Sequence, residues 1–395
     1  MKKHYLLLTI IGIVLLLVQV IIYMPTNDNI TVKQGFKKEN INRVGKAQTN
    51  YTLTKLYSKS IPLFSPFEDN KSLLPMPSLE LEDALVHQAK LLEIRKKEKK
   101  EHFYSDSQLE ITHDKLDKAV ELLANWNKNA SNKKLENLFD TYLLKGRDKK
   151  GNVKFTGYYS PVIEVSRTQT ADYQHPIYAK PNNLEVIPTQ SEILSGALKG
   201  QGLELAWAKS RKDIRNLQLQ GSGYAKYTDG STEYLAYGGS NARTRQNAFK
   251  AEKVSMAPDK ASDKANETGE EATDKVNVAP KKTKKQNVRP GYTFFERSRK
   301  SKPMGAGNVR LTPEISVAVD SRLIPLGACL LVEFPVIDEK GRLLHHEYKI
   351  VLAQDTGGAI KGAGHLDFYT GIGTAAQHKA RYMSHYGRVW ILMPK

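Results

Sequence analysis

One cysteine, Cys329, stands in 395 residues. That excludes an intramolecular disulfide, and with no CxxC and no paired His/Cys spacing the chain carries no signature of a structural zinc site. Cys329 lies in the apolar run Ala328-Cys329-Leu330-Leu331-Val332, which reads as buried packing. A G-x-S-x-G elbow is also missing, as is a phosphate-cradling glycine loop, which argues against the serine-hydrolase and nucleotide chemistries those motifs support. No nucleic-acid motif accompanies the formal charge of +18. Residues 250–291 have no aromatic side chain and are rich in Lys, Ala, Asp, Glu, Asn and Thr, a composition that cannot assemble a core. They read as a solvated, disordered insertion ending in the basic cluster Lys281-Lys282-Thr283-Lys284-Lys285.

Long apolar runs are scarce too. The exception starts at Tyr5 and ends at Met24, uncharged and preceded by Lys2 and Lys3. Its length matches the about 20 residues that span a bilayer as a helix. The flanking lysines place the N-terminus in the cytoplasm and the remainder outside. Val20-Ile21-Ile22-Tyr23-Met24 makes a poor cleavage site, so a membrane anchor is expected ahead of a cleaved signal. Residues 25–75 are polar and read as a tether.

The rest is globular in composition, 40% hydrophobic and 26% charged, and long enough for two domains. Ser78 is a helix N-cap, with Glu80, Glu82 and Asp83 in the first turns and Leu81, Leu85, Ala89 and Leu92 at helical spacing. Leu116, Val120 and Leu123 predict a second helix. Leu135, Leu138, Phe139 and Tyr142 predict a third, ending near Gly146. From Val153 the texture becomes β: short runs begin at Val153, Val162, Glu204, Asn216, Tyr234, Tyr292, Ile315, Cys329, Tyr348 and Val389. In Asn216-Leu217-Gln218-Leu219-Gln220 the strict alternation predicts a strand with Gln218 and Gln220 on one face, turning at Gly221-Ser222-Gly223.

Chemistry concentrates in residues 354–369: Gln-Asp-Thr-Gly-Gly-Ala-Ile-Lys-Gly-Ala-Gly-His-Leu-Asp-Phe-Tyr. Asp355 falls where a strand ends. Gly357-Gly358 is expected to use positive φ and to approach a ligand closely. Asp367 stands beside Phe368 and Tyr369, and an acid among apolar rings is desolvated toward its protonated form, the state a general acid needs. The alternative for both aspartates is loop capping or ion pairing. His365 and Lys361 read as loop contacts.

Four clusters together resemble the A family of membrane-bound lytic murein transglycosylases: Phe155-Thr156-Gly157-Tyr158-Tyr159-Ser160-Pro161; Leu217 through Gly223; Leu311-Thr312-Pro313 through Asp320 to Ile324-Pro325-Leu326-Gly327; and Asp355 through Gly373, with Gly387-Arg388-Val389-Trp390. The resemblance implies a mainly β, α+β chain. A double-psi β-barrel with N-terminal helices (76–155 plus 302–395) would be interrupted by a second β-barrel domain (156–301, with the charged insertion 245–290), preceded by the cytoplasmic stub and anchor (1–24) and the tether. It implies a lyase that cleaves the MurNAc–GlcNAc β-1,4 bond of peptidoglycan and leaves 1,6-anhydro ends, with Asp367 as catalytic acid and Asp355 in support, and with no metal or cofactor. Thr156, Tyr158, Tyr159, Gln218, Gln220, Gly221, Ser222, Gly357 and Gly358 would meet the glycan. Partners would be glycan strands and, through the N-terminal helix, the inner membrane, with the catalytic part in the periplasm; secretion or outer-membrane association are the alternatives. Two rival functions stay open: a muramidase using Asp355 and Asp367 as a carboxylate pair, and a wall-binding scaffold without catalysis.

Overall fold

The computed structural model describes residues 56–60, 75–97, 102–105, 109–129, 135–182, 187–241, 291–300 and 302–395. The expected membrane span and most of the tether and charged insertion lie outside them. Among the described residues no helix is long and apolar enough to cross a membrane.

In chain order the strands are β1 (Tyr57–Lys59), β2 (His102–Ser105), β3 (Glu110–Thr112), β4 (Phe139–Leu144), β5 (Val153–Ser160), β6 (Val162–Ser166), β7 (His175–Tyr178), β8 (Glu204–Ala208), β9 (Gly223–Tyr227), β10 (Thr232–Ser240), β11 (Thr293–Arg297), β12 (Ser316–Ala318), β13 (Cys329–Ile337), β14 (Leu343–Asp355), β15 (His365–Ile372), β16 (Ser384–Gly387) and β17 (Val389–Pro394). The helices are α1 (Leu79–Lys96), α2 (His113–Lys128), α3 (Leu135–Leu138), α4 (Gln190–Leu194), α5 (Arg211–Gln220) and α6 (Gly373–Tyr382).

Nine strands form one sheet in the order β1-β4-β17-β13-β14-β12-β15-β5-β16. Two of its pairings are parallel, β12 with β14 and β15 with β5. The edge strand β16 curls back toward β13: the Arg388 carbonyl just beyond it accepts from Glu333 N at 2.9 Å, and the Tyr386 carbonyl lies 2.8 Å from His346 Nε2. The run β13-β14-β12-β15-β5-β16 is thereby a nearly closed barrel. Its interior is apolar, with Phe155, Phe368, Val332 and Val351 fully buried. Helices α1 and α2 cover it and share its core through Leu85, Leu91, Leu92, Leu116 and Leu123; each such side chain contributes about 1.5–3 kcal/mol by leaving water. Polar ties fix the seating of α1. Gln88 donates to the Ala328 carbonyl at 3.1 Å, and buried Gln354 donates to the Ala84 carbonyl at 3.2 Å.

Pro161 breaks β5 from β6 and carries the chain into a second, six-stranded sheet, β11-β10-β9-β6-β8-β7. Its two edges meet at a parallel bridge between Ala179 and Phe295. A separate core fills it, including Val165, Ile177, Ala206, Leu217, Ala225 and Leu235.

Two expected elements come out differently. The third helix is a single turn, α3, followed by strand β4. Apolar residues at 135, 138, 139 and 142 fit a helix face, but they fit a turn plus a strand equally well, and pairing with β17 and β1 decides the matter. Residues 216–220 are the second half of α5. Ser210 caps it by accepting from Asp213 N at 3.2 Å, and Gly221 ends it at φ 82, a left-handed conformation that favours glycine. Leu217 is buried while Leu219 is 66% exposed. A five-residue alternation was too short to separate the two periods.

Candidate active site

The site begins with strand register. On the parallel pair β15/β5, Asp367 stands opposite Thr156 and Tyr369 opposite Tyr158. Strand alternation then puts Thr156, Tyr158, His365, Asp367 and Tyr369 on one face and Phe155, Leu366 and Phe368 on the other. Phe368 stacks edge-on against Phe155 and Phe334 at 5.1 and 5.2 Å in the barrel core. The expectation that Phe368 desolvates Asp367 is therefore corrected: the two side chains leave opposite faces of one strand. Of the two rings, only that of Tyr369 shares the site face, 5.4 Å from the ring of Tyr158.

Strand β12 brings the second carboxylate alongside. Ala318 pairs with Asp355 on β14 to one side and with Asp367 on β15 to the other. In-register neighbours project to the same face, so the two acids flank a methyl group. Their backbones are two strand spacings apart, about 10 Å.

The environments of the acids diverge. Asp355 is held on both oxygens: Oδ2 accepts from the Tyr158 hydroxyl at 2.6 Å, and Oδ1 accepts from Ala306 N at 2.7 Å and Thr356 N at 2.8 Å. Burial pushes its carboxyl upward and these three donors pull it partly back, leaving it above the ordinary carboxylate value. Asp367 accepts one hydrogen bond, from Thr156 Oγ1 to Oδ1 at 2.6 Å. Among the described residues no donor meets its Oδ2. Burial and the nearby Asp355 charge outweigh the Thr156 bond and raise its pKa to about 6. The two carboxyls thus differ in their hydrogen bonding: among the described residues three donors engage both oxygens of Asp355 and one engages Asp367. The Tyr158 phenol, buried and facing Asp355, stays far above its ordinary pKa and therefore neutral.

The loop over Asp355 needs its glycines. A Cβ on Gly305 would lie 2.5 Å from the Gln354 carbonyl oxygen, and one on Gly307 would lie 2.3 Å from Leu91 Cδ1; without those side chains the loop packs closely enough to bring Ala306 N against the carboxylate. Gly357 and Gly358, by contrast, are absent from the positive-φ positions. The expectation for them is corrected: the pair makes a turn in which Ile360 N donates to the Gly357 carbonyl at 3.0 Å. Beyond it, Asp320 anchors the loop by accepting from Gly362 N at 2.8 Å while Arg322 bonds its carboxylate. Burial raises the Asp320 carboxyl, but Arg322 and the backbone donors prevail and bring it to about 2.

The second sheet supplies the facing wall. Tyr224 on β9 and Tyr234 on β10 stack at 5.2 Å, and the Tyr234 hydroxyl accepts from Met304 N at 3.3 Å. The Tyr369 phenol is raised chiefly by burial and also by Tyr224 and Tyr234, while Arg310 opposes them. Tyr224 and Arg310 went unread in the sequence, as did Ala318 and Ala306, because only the pairing of distant strands brings them here.

The remaining site residues divide. Tyr159 is buried, with its hydroxyl and backbone N tied to Asn216 and Gln220 of α5. Gln218 does not share a face with Gln220, since two helical residues differ by about 200°. It donates weakly to the Thr293 carbonyl at 3.4 Å and lines a separate cavity of about 320 Å³ with Arg211, Arg215 and Trp207. Ser222 bonds the Tyr234 hydroxyl.

Residues 154–248 match the MltA specific insert domain and residues 315–393 match the 3D domain. The membrane-bound lytic murein transglycosylase A of Vibrio cholerae is 37% identical over 253 residues, covering 63% of this chain and 67% of that protein. The protein of the same name from Escherichia coli K12 is 36% identical over 257 residues, covering 64% and 69%. A crystal structure of E. coli MltA with bound chitohexaose superposes with a TM-score of 0.62 at 25% identity, covering 89% of this chain and 98% of that one. A matched insert domain, a matched 3D domain and these shared lengths lead to one assignment: the chain belongs to the membrane-bound lytic murein transglycosylase A family.

Proposed function

We propose that this protein cleaves the MurNAc–GlcNAc β-1,4 bond of peptidoglycan by lytic transglycosylation, with Asp367 as the sole proton donor and acceptor. The observation that supports it most directly is the asymmetry of Asp367: Oδ1 is engaged by Thr156, Oδ2 meets no donor among the described residues, and the pKa sits at about 6. Protonated Oδ2 delivers its proton to the glycosidic oxygen as the C1–O bond breaks. The C6 hydroxyl of the same muramic ring attacks C1 and its proton returns to Oδ2. One C–O bond breaks, one forms, and water is not consumed. Intramolecular attack replaces the second carboxylate that hydrolysis requires, because a tethered nucleophile has a very high effective concentration. Asp355, which accepts from three donors, faces the cationic charge that develops at C1. Tyr224 presents a flat ring for a pyranose face, backed by the buried ring of Tyr369.

In this reading the strand run β13-β14-β12-β15-β5-β16 is a double-psi barrel (76–155 plus 302–395), the sheet of β6 to β11 is the inserted domain (156–301), and the glycan lies between them. The apolar N-terminal run anchors the protein in the inner membrane, with the catalytic part in the periplasm. The relatives' names specify membrane-bound proteins, which supports envelope association. Digestion of purified murein followed by product masses tests the chemistry. Anhydro ends are lighter than reducing ends by one water; products carrying only reducing ends would show a hydrolase instead.

A further inference from the structure

The acid described above is backed by a second polar group. His365 lies two residues before Asp367 on β15, so both side chains leave the same face. Thr156 on β5 stands opposite Asp367 and reaches both. His365 Nε2 is 2.8 Å from Thr156 Oγ1, which is 2.6 Å from Asp367 Oδ1.

A threonine hydroxyl has one proton to give. Donated to Asp367, it leaves Oγ1 free to accept, so His365 must hold its proton on Nε2. We infer that His365 is a positioning residue: by donating to Thr156 it directs the threonine hydrogen at Oδ1 and so confines the transferable proton of Asp367 to Oδ2, the oxygen that faces the sugar. The inference rests on Asp367 being the acid. The arrangement serves both halves of the reaction. While Asp367 is protonated, Oδ1 is occupied and the proton can reside only on Oδ2. Once the proton has left, the vacated lone pair at Oδ2 is the one that meets the C6 hydroxyl.

The ring has to be neutral for this. An imidazolium so close would favour the carboxylate and turn the acid off. The groups acting on the ring oppose its charging. Burial comes first; then Lys154, its neighbour across β5, and Arg147 from the preceding loop hold its pKa near about 4. Thr156 is neutral, and Asp367 is the acid itself.

The test uses the full-length protein in detergent, with murein as substrate and rates measured from pH 4 to 9. His365→Ala should lower kcat about tenfold, the effect of one hydrogen bond lost between transition-state partners, with KM unchanged. The alkaline limb of its pH profile should move upward, since a less polarised Thr156 stabilises the carboxylate less. His365→Gln, which keeps an N–H donor, should restore most of the rate. In a Thr156→Val background, His365→Ala should have no further effect, because its only route to Asp367 is gone. An unmoved pH limb, an effect on KM alone, or full additivity with Thr156→Val would overturn the inference. An active Asp367→Asn variant would instead remove the reading beneath it, so the two failures are distinct. Melting curves of each variant identify any that fail to fold, and the Gln variant then decides.

Discussion

At the residue scale the protein spends stability to keep an acid. Asp367 binds its proton more tightly folded than unfolded, because burial and Asp355 penalise the charge. Such a group adds to stability below pH about 4, and that contribution is lost as pH climbs through about 6. Asp367→Asn cannot ionise. It should melt higher than the wild type at pH 7–8, by on the order of 1 kcal/mol after allowance for partial solvent access, and should show no gain at pH 4. The same change should reduce murein cleavage by at least about 100-fold, the usual contribution of a general acid. In the wild type, kcat/KM should fall about tenfold per pH unit above about 6, as the protonated fraction does. A profile flat to pH 8 would sink the assignment. Tyr158→Phe removes one of three donors from Asp355. It should push that carboxyl further up and lower kcat about tenfold or more with little change in KM, since hydrogen bonds to charged groups contribute about 1.5–3 kcal/mol.

At the scale of the element, the distance between strands controls the chemistry. Ala318 is the spacer that sets Asp355 on β14 and Asp367 on β15 to either side of β12. Ala318 is buried, so Ala318→Leu should push the flanking acids out of place and cost about 1–3 kcal/mol of stability by overpacking. Steady-state kinetics on the folded fraction should show a large loss of kcat/KM; kcat/KM at the wild-type level would show that this spacing does not control the chemistry. This spacing was not legible in the sequence, where Ala318 is one small residue between two valines. The strands themselves were legible at β5, β8, β13 and β17, where apolar and β-branched runs are bounded by turn residues. The readings failed where a short pattern fits two periods. Residues 216–220 alternate like a strand, yet Ser210 and Gly221 are helix signals at either end, and weighing those caps together would have found α5. Phe139 and Tyr142 matched a helix until β17 supplied a ladder. Asp367 could be singled out from its neighbours, but the groups that act on it besides burial, the Thr156 hydroxyl and the Asp355 charge, lie elsewhere along the chain.

At the scale of the whole molecule, the chain leaves one barrel at Pro161, completes a second sheet, and returns after β11 to finish the first. No local pattern encodes that route; the parallel pairing of β5 with β15 sets it through register. The same economy of connection bears on the charged insertion. Its two flanks are stitched together: Tyr292 N donates to Asn241 Oδ1 at 2.6 Å, and Asn241 N to the Tyr292 carbonyl at 3.2 Å. Residues 242–291 therefore leave and re-enter the fold at one point, at the end of the hairpin of β10 and β11. Replacing 245–290 by a short Gly/Ser connection should leave murein cleavage within about threefold of the wild type. Closing a loop several-fold shorter costs less entropy, about 0.6 kcal/mol per halving, so the shortened protein should resist denaturant slightly better. Retained stability with lost cleavage of intact sacculi, but not of soluble glycan strands, would instead assign the basic cluster near Lys281 to gripping the anionic wall.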